Sequence, residues 1–399
     1  MRAILLVDDE PNVIKGMMRM LNSAPGNYQY LFAQSGSEAL DILNSREVHM
    51  IVSDIRMPEM DGAQLLEQVM KVHPNIIRII LSGHSEKAMN LKAAGVAHQF
   101  LIKPCSPELL LNTIEKAFRV REHVHNEEVA GFVTGLNRLP ATSTSFNRLL
   151  KELNSTDPSL KRVGEIIAED LTMTAKVLQL VNSAFFGIPR KVSSAQQAVT
   201  LLGINTIKAL ALQVELFSAH QNRDDAVMKD LLNHSLKVGN LAKAISLSEK
   251  REARQADAAL VGGILHDIGK VLLYMLPEYR NQLAVAPVHD HSGWLDMEYR
   301  LWGTSHAEIG AYLLGLWGFA DDVVETVAFH HRPGISMDRD FSALTAVHIA
   351  NALIRGPEAG DEYIAWLDVE YLESLNVLGH LNDWADICSR FEQAENPKE

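Results

Sequence analysis

Two regimes of hydrophobic patterning divide the chain. Over the first 122 residues, short β-branched or apolar runs alternate with amphipathic segments, whereas past Pro140 the apolar residues recur at three-to-four spacing without strand alternation. In the first regime Ala3–Val7, Tyr28–Ala33, Met50–Ser53, Ile76–Leu81 and Gln99–Ile102 read as buried parallel strands. Val13–Leu21, Ser37–Asn44, Gly62–Val72 and Pro107–Val120 read as the intervening helices. That alternation predicts a doubly wound parallel five-stranded (βα)5 domain over residues 1–122. In the second regime helices are predicted at Ser145–Leu153, Leu160–Glu169, Met173–Ser183, Ala195–Leu202, Thr206–His220, Asp225–Leu247, Ser305–Leu316 and Asp322–His331. They form an all-helical bundle over 139–355. Between the two regimes a charged run, Arg121–Glu128, punctuated by Gly131, Gly135 and Pro140, predicts a helical linker over 123–138. After Gly356 and Pro357 an acidic helical extension runs over 356–399, with amphipathic segments Tyr363–Leu375 and Asn382–Gln393. Its Trp366 and Trp384 are expected to pack back on the bundle. The fold class is therefore multi-domain, α/β plus all-α.

Composition narrows the partners. The chain has 399 residues, too many for one ordinary core, and 37 Lys and Arg against 50 Asp and Glu give a net charge of -13. With no basic cluster and no helix-turn-helix, neither DNA nor a membrane surface is an expected partner. Cys105 and Cys388 are the only cysteines, so no disulfide framework exists and a reducing cytoplasm is the expected compartment. The first residues enter a strand without a signal region, and no run is expected to span a membrane.

In the first domain the polar residues fall at strand C-terminal ends. Asp8, Asp9 and Glu10 follow the first strand, Asp54 the third, Ser82 the fourth and Lys103 the fifth. In an open parallel sheet those ends share one crevice. Crowded carboxylates raise one another's pKa unless a cation intervenes, and Mg²⁺ with oxygen ligands is the usual solution. Asp54 can then attack a phosphoryl group, with Mg²⁺ and Lys103 offsetting charge and Ser82 donating a hydrogen bond. Taken singly, each acid would be an ordinary solvated loop residue. Taken together, with Asp54 inside Val52–Gly62 and Lys103 before Pro104, the segment resembles the receiver domain of two-component response regulators. The resemblance implies Asp54 as phosphoacceptor, Asp9 beside Asp8 as metal carboxylates, and Ser82 and Lys103 as the switch pair. It further implies a reorienting Phe100, a cis peptide before Pro104, a sensor histidine kinase as partner, and homodimer formation on phosphorylation.

The helical region poses a second question. Val261–Lys270 is an apolar run that ends in His266 and Asp267, with Lys270 four residues past the histidine and a helix break expected at Gly269. His234 falls on the apolar stripe 227, 231, 238, 241, 245, with Asp230 one turn earlier. Ser305 and Glu308 have capping-box spacing, which puts His306 in a first turn where a helix N-terminus lowers its pKa. His330 and His331 end a helix before Pro333. Each has an ordinary structural account: a core histidine paired with Asp230, a helix cap, or cationic residues at a helix C-terminus.

Leu139 and Pro140, Asp157 and Pro158, Glu169–Thr172, Val181–Gly187 and Ala198–Gly203 resemble the N-terminal part of the HDOD domain, a relative of the HD phosphohydrolases. The likeness continues through His266 and Asp267, Ser305 and His306, and His330 and His331. Similarity to the HD-GYP phosphodiesterases implies Asp230, His234, His266, Asp267, His306, His330 and His331 as metal ligands and Lys270 as a phosphate contact. Such ligands suit iron, manganese or a similar transition metal. Two departures stand out: Arg332–Ser336 contains no Gly-Tyr-Pro element, and Asn351 occupies the place of the closing acid. The leading expectation is a response regulator whose HDOD output works through an unidentified signalling protein or a nucleotide ligand. The competing one is a metal-dependent phosphohydrolase acting on cyclic di-GMP or another nucleotide.

Overall fold

The structure, a computed structural model, describes residues 2–21, 28–82, 96–122, 127–134, 144–153, 155, 158–182, 192–218, 226–283, 291–336, 340–355 and 364–395. Leu139, Pro140, Asp157, Ser183–Gly187, the linker stretches 123–126 and 135–138, and the start of the extension at 356–363 lie outside the described residues. So does the side chain of Phe100. Two compact units divide the chain: Met1–Ser159 with Gly315–Gly318, and Leu160–Leu314 with Phe319–Glu399.

The first unit runs β1 (Arg2–Val7), α1 (Pro11–Leu21), β2 (Tyr28–Ala33), α2 (Gly36–Ser45), β3 (Met50–Asp54), α3 (Gly62–Val72), β4 (Ile77–Ser82), β5 (Gln99–Ile102), α4 (Pro107–Glu122), α5 (Glu127–Thr134) and α6 (Thr144–Leu153). The sheet order is β2-β1-β3-β4-β5, and every pairing is parallel. Helices on both faces explain why β1, β3 and β4 read as unbroken apolar runs rather than alternating ones. Leu5, Val7, Ile51, Ile55, Leu66 and Ile80 belong to the core on one face. Two helices start on side-chain caps that the sequence supplies. Ser35 accepts from Glu38 N at α2, and Asp61 and Gln64 form a reciprocal capping box at α3.

The linker helix α5 is built into this unit. Val129 and Val133 are buried, and its last carbonyl, Thr134 O, accepts from Arg78 Nη2 at 3.1 Å. Arg78 points from β4 and is fully buried. It also donates to Val96 O at 2.7 Å, Ile76 O at 3.0 Å and Pro74 O at 3.2 Å. Backbone carbonyls thus satisfy a charge that would be prohibitive if left bare. His98 completes the cluster. Its Nδ1 accepts from Arg78 N at 2.9 Å, so the ring proton sits on Nε2 and is donated to Thr134 O at 3.0 Å.

The second unit contains α7 (Leu160–Glu169), α8 (Leu171–Val181), α9 (Ala195–Ser218), α10 (Ala226–Ser248), α11 (Ala253–Leu265), α12 (Ile268–Leu273), α13 (Pro277–Leu283), α14 (His291–Trp302), α15 (His306–Leu316), α16 (Asp321–Phe329), α17 (Ala343–Arg355), α18 (Val369–Ser374) and α19 (Leu381–Glu395). Gly203 interrupts α9 with φ 77° and ψ 169°, where patterning separates two helices. Contrary to expectation, Ala195–Val214 is long and apolar enough to cross a membrane, but 61% of it is buried inside this unit. Helices α10 and α11 cross closely because both contribute glycine: a Cβ on Gly263 would meet the Gly239 Cα at 2.5 Å. A second core joins α10, α11, α17 and the C-terminal helices. Trp384 is fully buried there, with Nε1 donating to Glu249 Oε1 at 3.0 Å, and Trp366 packs against the same cluster.

Candidate phosphoacceptor and metal-ligand sites

Strand register assembles the first site. Val7 pairs with Ser53, Asp54 with Leu81 and Ser82 with Ile102, so the residues at or just past these strand ends share one edge of the sheet. Ligand oxygens of Asp8, Asp9 and Asp54 lie within 4.8 Å of one another. Lys103 Nζ stands 2.7 Å from both Asp8 Oδ2 and Asp54 Oδ1. Asp8 is fully buried, and its Oδ1 accepts from Glu10 N at 3.0 Å. Burial pushes the Asp54 carboxyl above its ordinary range, and the Asp8 charge adds to this, although Lys103 opposes both. For Lys103, burial alone would lower the ammonium pKa, but Asp54 and Asp8 carry it above the usual value. Ser82 is buried at the end of β4, and its carbonyl accepts from Lys103 N at 2.8 Å. The Lys103–Pro104 peptide is cis. An all-oxygen carboxylate set fits a hard divalent cation.

The second site centres on Asp267, in the tight turn between α11 and α12. Sequence reading puts the helix break at Gly269, but it falls on His266 and Asp267 themselves. Gly269 matters instead for close packing. A Cβ there would overlap the His306 carbonyl oxygen, so only glycine lets α15 approach. Asp267 Oδ1 lies 3.2 Å from His306 Nε2 and 3.8 Å from His330 Nε2. Oδ2 lies 3.3 Å from His266 Nε2, 4.0 Å from His234 Nε2 and 2.7 Å from Lys270 Nζ. His331 Nε2 is 3.0 Å from His306 Nε2.

Six of the seven expected ligands therefore converge, in the overlapping sets Asp267, His306, His330, His331 and His234, His266, Asp267. Asp230 joins neither set among the described residues. It is exposed on α10, one turn before His234, and the two residues do not share a ligand group. His234 instead faces Asn351, with Nε2 3.0 Å from Oδ1. Lys270, expected as a phosphate contact, is buried and serves as the counter-ion of Asp267.

The imidazoles are held in one orientation. His266 Nδ1 donates to Gly263 O and His330 Nδ1 to Val327 O, both at 2.8 Å. A carbonyl can only accept, so the proton is fixed on Nδ1 and the Nε2 lone pair points inward. The Nε2 atoms of His266 and His330 are buried with no hydrogen-bond partner among the described residues. Imidazole nitrogens bind transition metals at about 2.0–2.1 Å, which sets neighbouring ligand atoms roughly 3.0–3.4 Å apart. Separations of 3.2 and 3.3 Å fall in that range, and the mixed imidazole and carboxylate donors suit such an ion.

Charges in this site oppose burial. Burial pushes Asp267 up, but His266 and Lys270 hold it well below the carboxylate range. Burial and the neighbouring His266 keep His330 well below the usual imidazole value. His306 runs against the helix-terminus expectation. Burial lowers it and is the largest influence, but the net direction is up, because the Glu298 and Asp267 carboxylates together outweigh it. Sequence reading missed Glu298, which comes from a separate helix and carries no fixed spacing to His306. It also missed Gln213, whose amide donates to Ile264 O behind the site. His348 was another omission. Its Nδ1 donates to His330 O and its Nε2 accepts from Asp368 N, both at 2.8 Å. Beside His330, His331, His348, Asn351, Ala352 and Trp366 is a cavity of about 10 Å³, room for about one water.

Residues 4–115 match the family model of the response regulator receiver domain, and residues 139–333 that of the HDOD domain. The chain joins a receiver to an HDOD domain. Transcriptional regulatory protein GlrR of Escherichia coli is 39% identical over 116 residues, covering 29% of this chain and 26% of that protein. An uncharacterized protein of Treponema pallidum is 25% identical over 227 residues, 57% of this chain and 44% of its own length. The chain thus spans less than half of either relative. A solved structure of a candidate phosphohydrolase from Shewanella amazonensis covers 68% of this chain and 97% of that one, with a TM-score of 0.51 and 24% identity. At that identity the likeness is one of fold. The receiver holds Asp54 and its carboxylate neighbours. The HDOD domain holds the imidazole cluster, with the Asn351 amide facing His234.

Proposed function

We propose that the protein is a cytoplasmic two-component signalling switch. A sensor histidine kinase phosphorylates Asp54, and the HDOD domain passes the signal on through protein contacts rather than by hydrolysing a nucleotide. The observation that carries the input is Lys103 Nζ at 2.7 Å from both Asp8 and Asp54. This ammonium is poised where a phosphoryl charge would develop. An Asp54 carboxylate oxygen forms a bond to phosphorus as the bond from phosphorus to the donor's histidine nitrogen breaks, and Lys103 turns from the carboxylates to the new oxygens. Asp8, Asp9 and Asp54 would hold Mg²⁺, whose charge neutralises the transferred group. The product carries about -1.5 to -2 charges on phosphoryl oxygens where the carboxylate carried one, enough to reorganise its surroundings.

One observation supports a non-hydrolytic output: the Asn351 amide, rather than an acid, faces His234. His234, His266, Asp267, His306, His330 and His331 would hold a transition-metal ion, which ties α10 to three helix ends. Incubation with Mg²⁺ and a small acyl-phosphate donor tests the input. The intact chain gains the mass of one phosphoryl group, and Asp54→Asn gains none. Labelling that persists in Asp54→Asn would refute the assignment.

A further inference from the structure

We propose that Glu298 is the positioning residue of the imidazole cluster, dictating which nitrogen of His306 faces Asp267 and so how tightly the cluster holds a metal. The inference rests on the metal-binding reading above. Glu298 lies on α14 and is fully buried. Its Oε2 stands 2.7 Å from His306 Nδ1 and accepts from His306 N at 2.8 Å, while Oε1 accepts from Tyr279 OH at 2.9 Å. The carboxylate reads His306 twice, through its backbone and through its ring, and Tyr279 on α13 fixes the carboxylate's own orientation.

The chemistry follows from donor and acceptor counts. A carboxylate only accepts, so the His306 Nδ1 proton points at Glu298 and Nε2 is left to face Asp267 Oδ1 at 3.2 Å and His331 Nε2 at 3.0 Å. A carboxylate oxygen and two imidazole nitrogens meeting at such distances form a ligand set only when the lone pairs, not the N–H groups, face inward. His266 and His330 achieve this with backbone carbonyls, whereas His306, at the first residue of α15, has no preceding helical carbonyl within reach. Glu298 supplies what that helix start lacks. Its negative charge also makes the ring a stronger donor to a cation than a carbonyl partner would. Apart from the His306 N–H, capping of α15 rests on other residues. Ser305 and Glu308 already pair reciprocally, with Thr304 donating to Glu308 at 2.8 Å.

Glu298→Gln separates charge from shape. Its amide oxygen can take the place of Oε2 and its NH₂ can face Tyr279, whose hydroxyl rotates to accept. The full-length variant, titrated with Co²⁺ in excess Mg²⁺ to fill the receiver carboxylates, is expected to bind about 10- to 100-fold more weakly than wild type. Metal-free thermal unfolding of the HDOD domain should stay unchanged. Glu298→Asp, which keeps the charge but shortens the reach, should recover part of the affinity. ¹⁵N spectra of the metal-free wild type should show His306 protonated on Nδ1. Co²⁺ affinity within threefold of wild type in both variants would overturn the inference and leave the metal site standing. A wild-type chain whose Co²⁺ spectrum shows no imidazole ligation would overturn both. If Glu298→Gln fails to fold, the Asp variant decides alone: at least about fivefold weaker Co²⁺ binding is expected, and wild-type affinity would overturn the proposal.

Discussion

Replacing Arg78 with methionine tests whether the linker helix belongs to the receiver. Methionine keeps much of the aliphatic stem and removes four hydrogen bonds from a buried guanidinium, to Val96 O, Pro74 O, Ile76 O and Thr134 O. Bonds from a charged donor contribute roughly 1.5–3 kcal/mol each. Against that gain stands the cost of burying the cation, several kcal/mol, so Arg78→Met should cost the unit about 3–5 kcal/mol overall. One of the four bonds reaches α5. Its loss should loosen that helix by about 1.5–3 kcal/mol, or roughly 10- to 150-fold faster amide exchange at 1.36 kcal/mol per decade. The contact between Arg78 Nη2 and His98 Nε2 at 3.0 Å sets donor against donor and adds nothing to the sum. Hydrogen exchange on the full-length chain reads this directly in peptides covering 127–134, with peptides of the HDOD domain as internal reference. Exchange at 127–134 within threefold of wild type, while β4 and β5 loosen, would show that the helix is held without Arg78, by Val129, Val133 and the His98 bond.

Three further outcomes follow from the same geometry. Burial and the adjacent Arg78 charge hold the folded pKa of His98 well below its ordinary value. Receiver stability should therefore be full above about pH 6.5 and fall by up to about 1.36 kcal/mol per pH unit below it, as the unfolded chain takes a proton that the fold refuses. Urea midpoints against pH should show that slope, and His98→Gln should flatten it. Gly269→Ala would drive a methyl into the His306 carbonyl, so the HDOD melting transition should drop by about 6–12 °C, the shift for a loss of about 3 kcal/mol in a domain of this size. Asn351→Asp places an anion 3.0 Å from His234 Nε2 and should raise Co²⁺ affinity by about tenfold or more, measured by competitive titration; a decrease would show that the amide does not limit the site.

Patterning located the strand-end chemistry because a parallel sheet converts sequence order into position. β2, β5 and α3 begin and end where the alternation puts them, and the register does the rest. The imidazole cluster was legible as a set of residue types but not as a geometry. Asp230 looked joined to His234 by helical spacing, yet it stays exposed on α10 while His234 belongs to a ligand group with His266 and Asp267. Glu298 was illegible because its partner is a ring on another helix, and an acid within a short amphipathic run looks solvated until packing buries it. Arg78 was hidden for a similar reason. In Ile76–Ile80 a single charge interrupts a run read as a buried strand, and nothing local reveals the carbonyls gathered from 74, 76, 96 and 134.

β5 links the two tied points of the receiver. Lys103, just past its last residue, holds Asp8 and Asp54, and His98, just before its first, holds Thr134 of the linker helix. The six residues from one to the other span about 17–20 Å of extended backbone paired to β4. A hydrogen-bonded strand is stiff along its length, so a pull on Lys103 is carried toward His98 rather than absorbed between them. The proposed phosphoryl group on Asp54 would supply such a pull, because it moves the negative charge that Lys103 pairs with from the carboxylate out to the phosphoryl oxygens. Arg78 acts from the neighbouring strand on the same carbonyl, and its neutral partner His98 is kept from adding a second cation there by burial. On the proposed phosphorylation of Asp54, β5 is therefore the element that connects the phosphoacceptor site to the carbonyl at the end of α5.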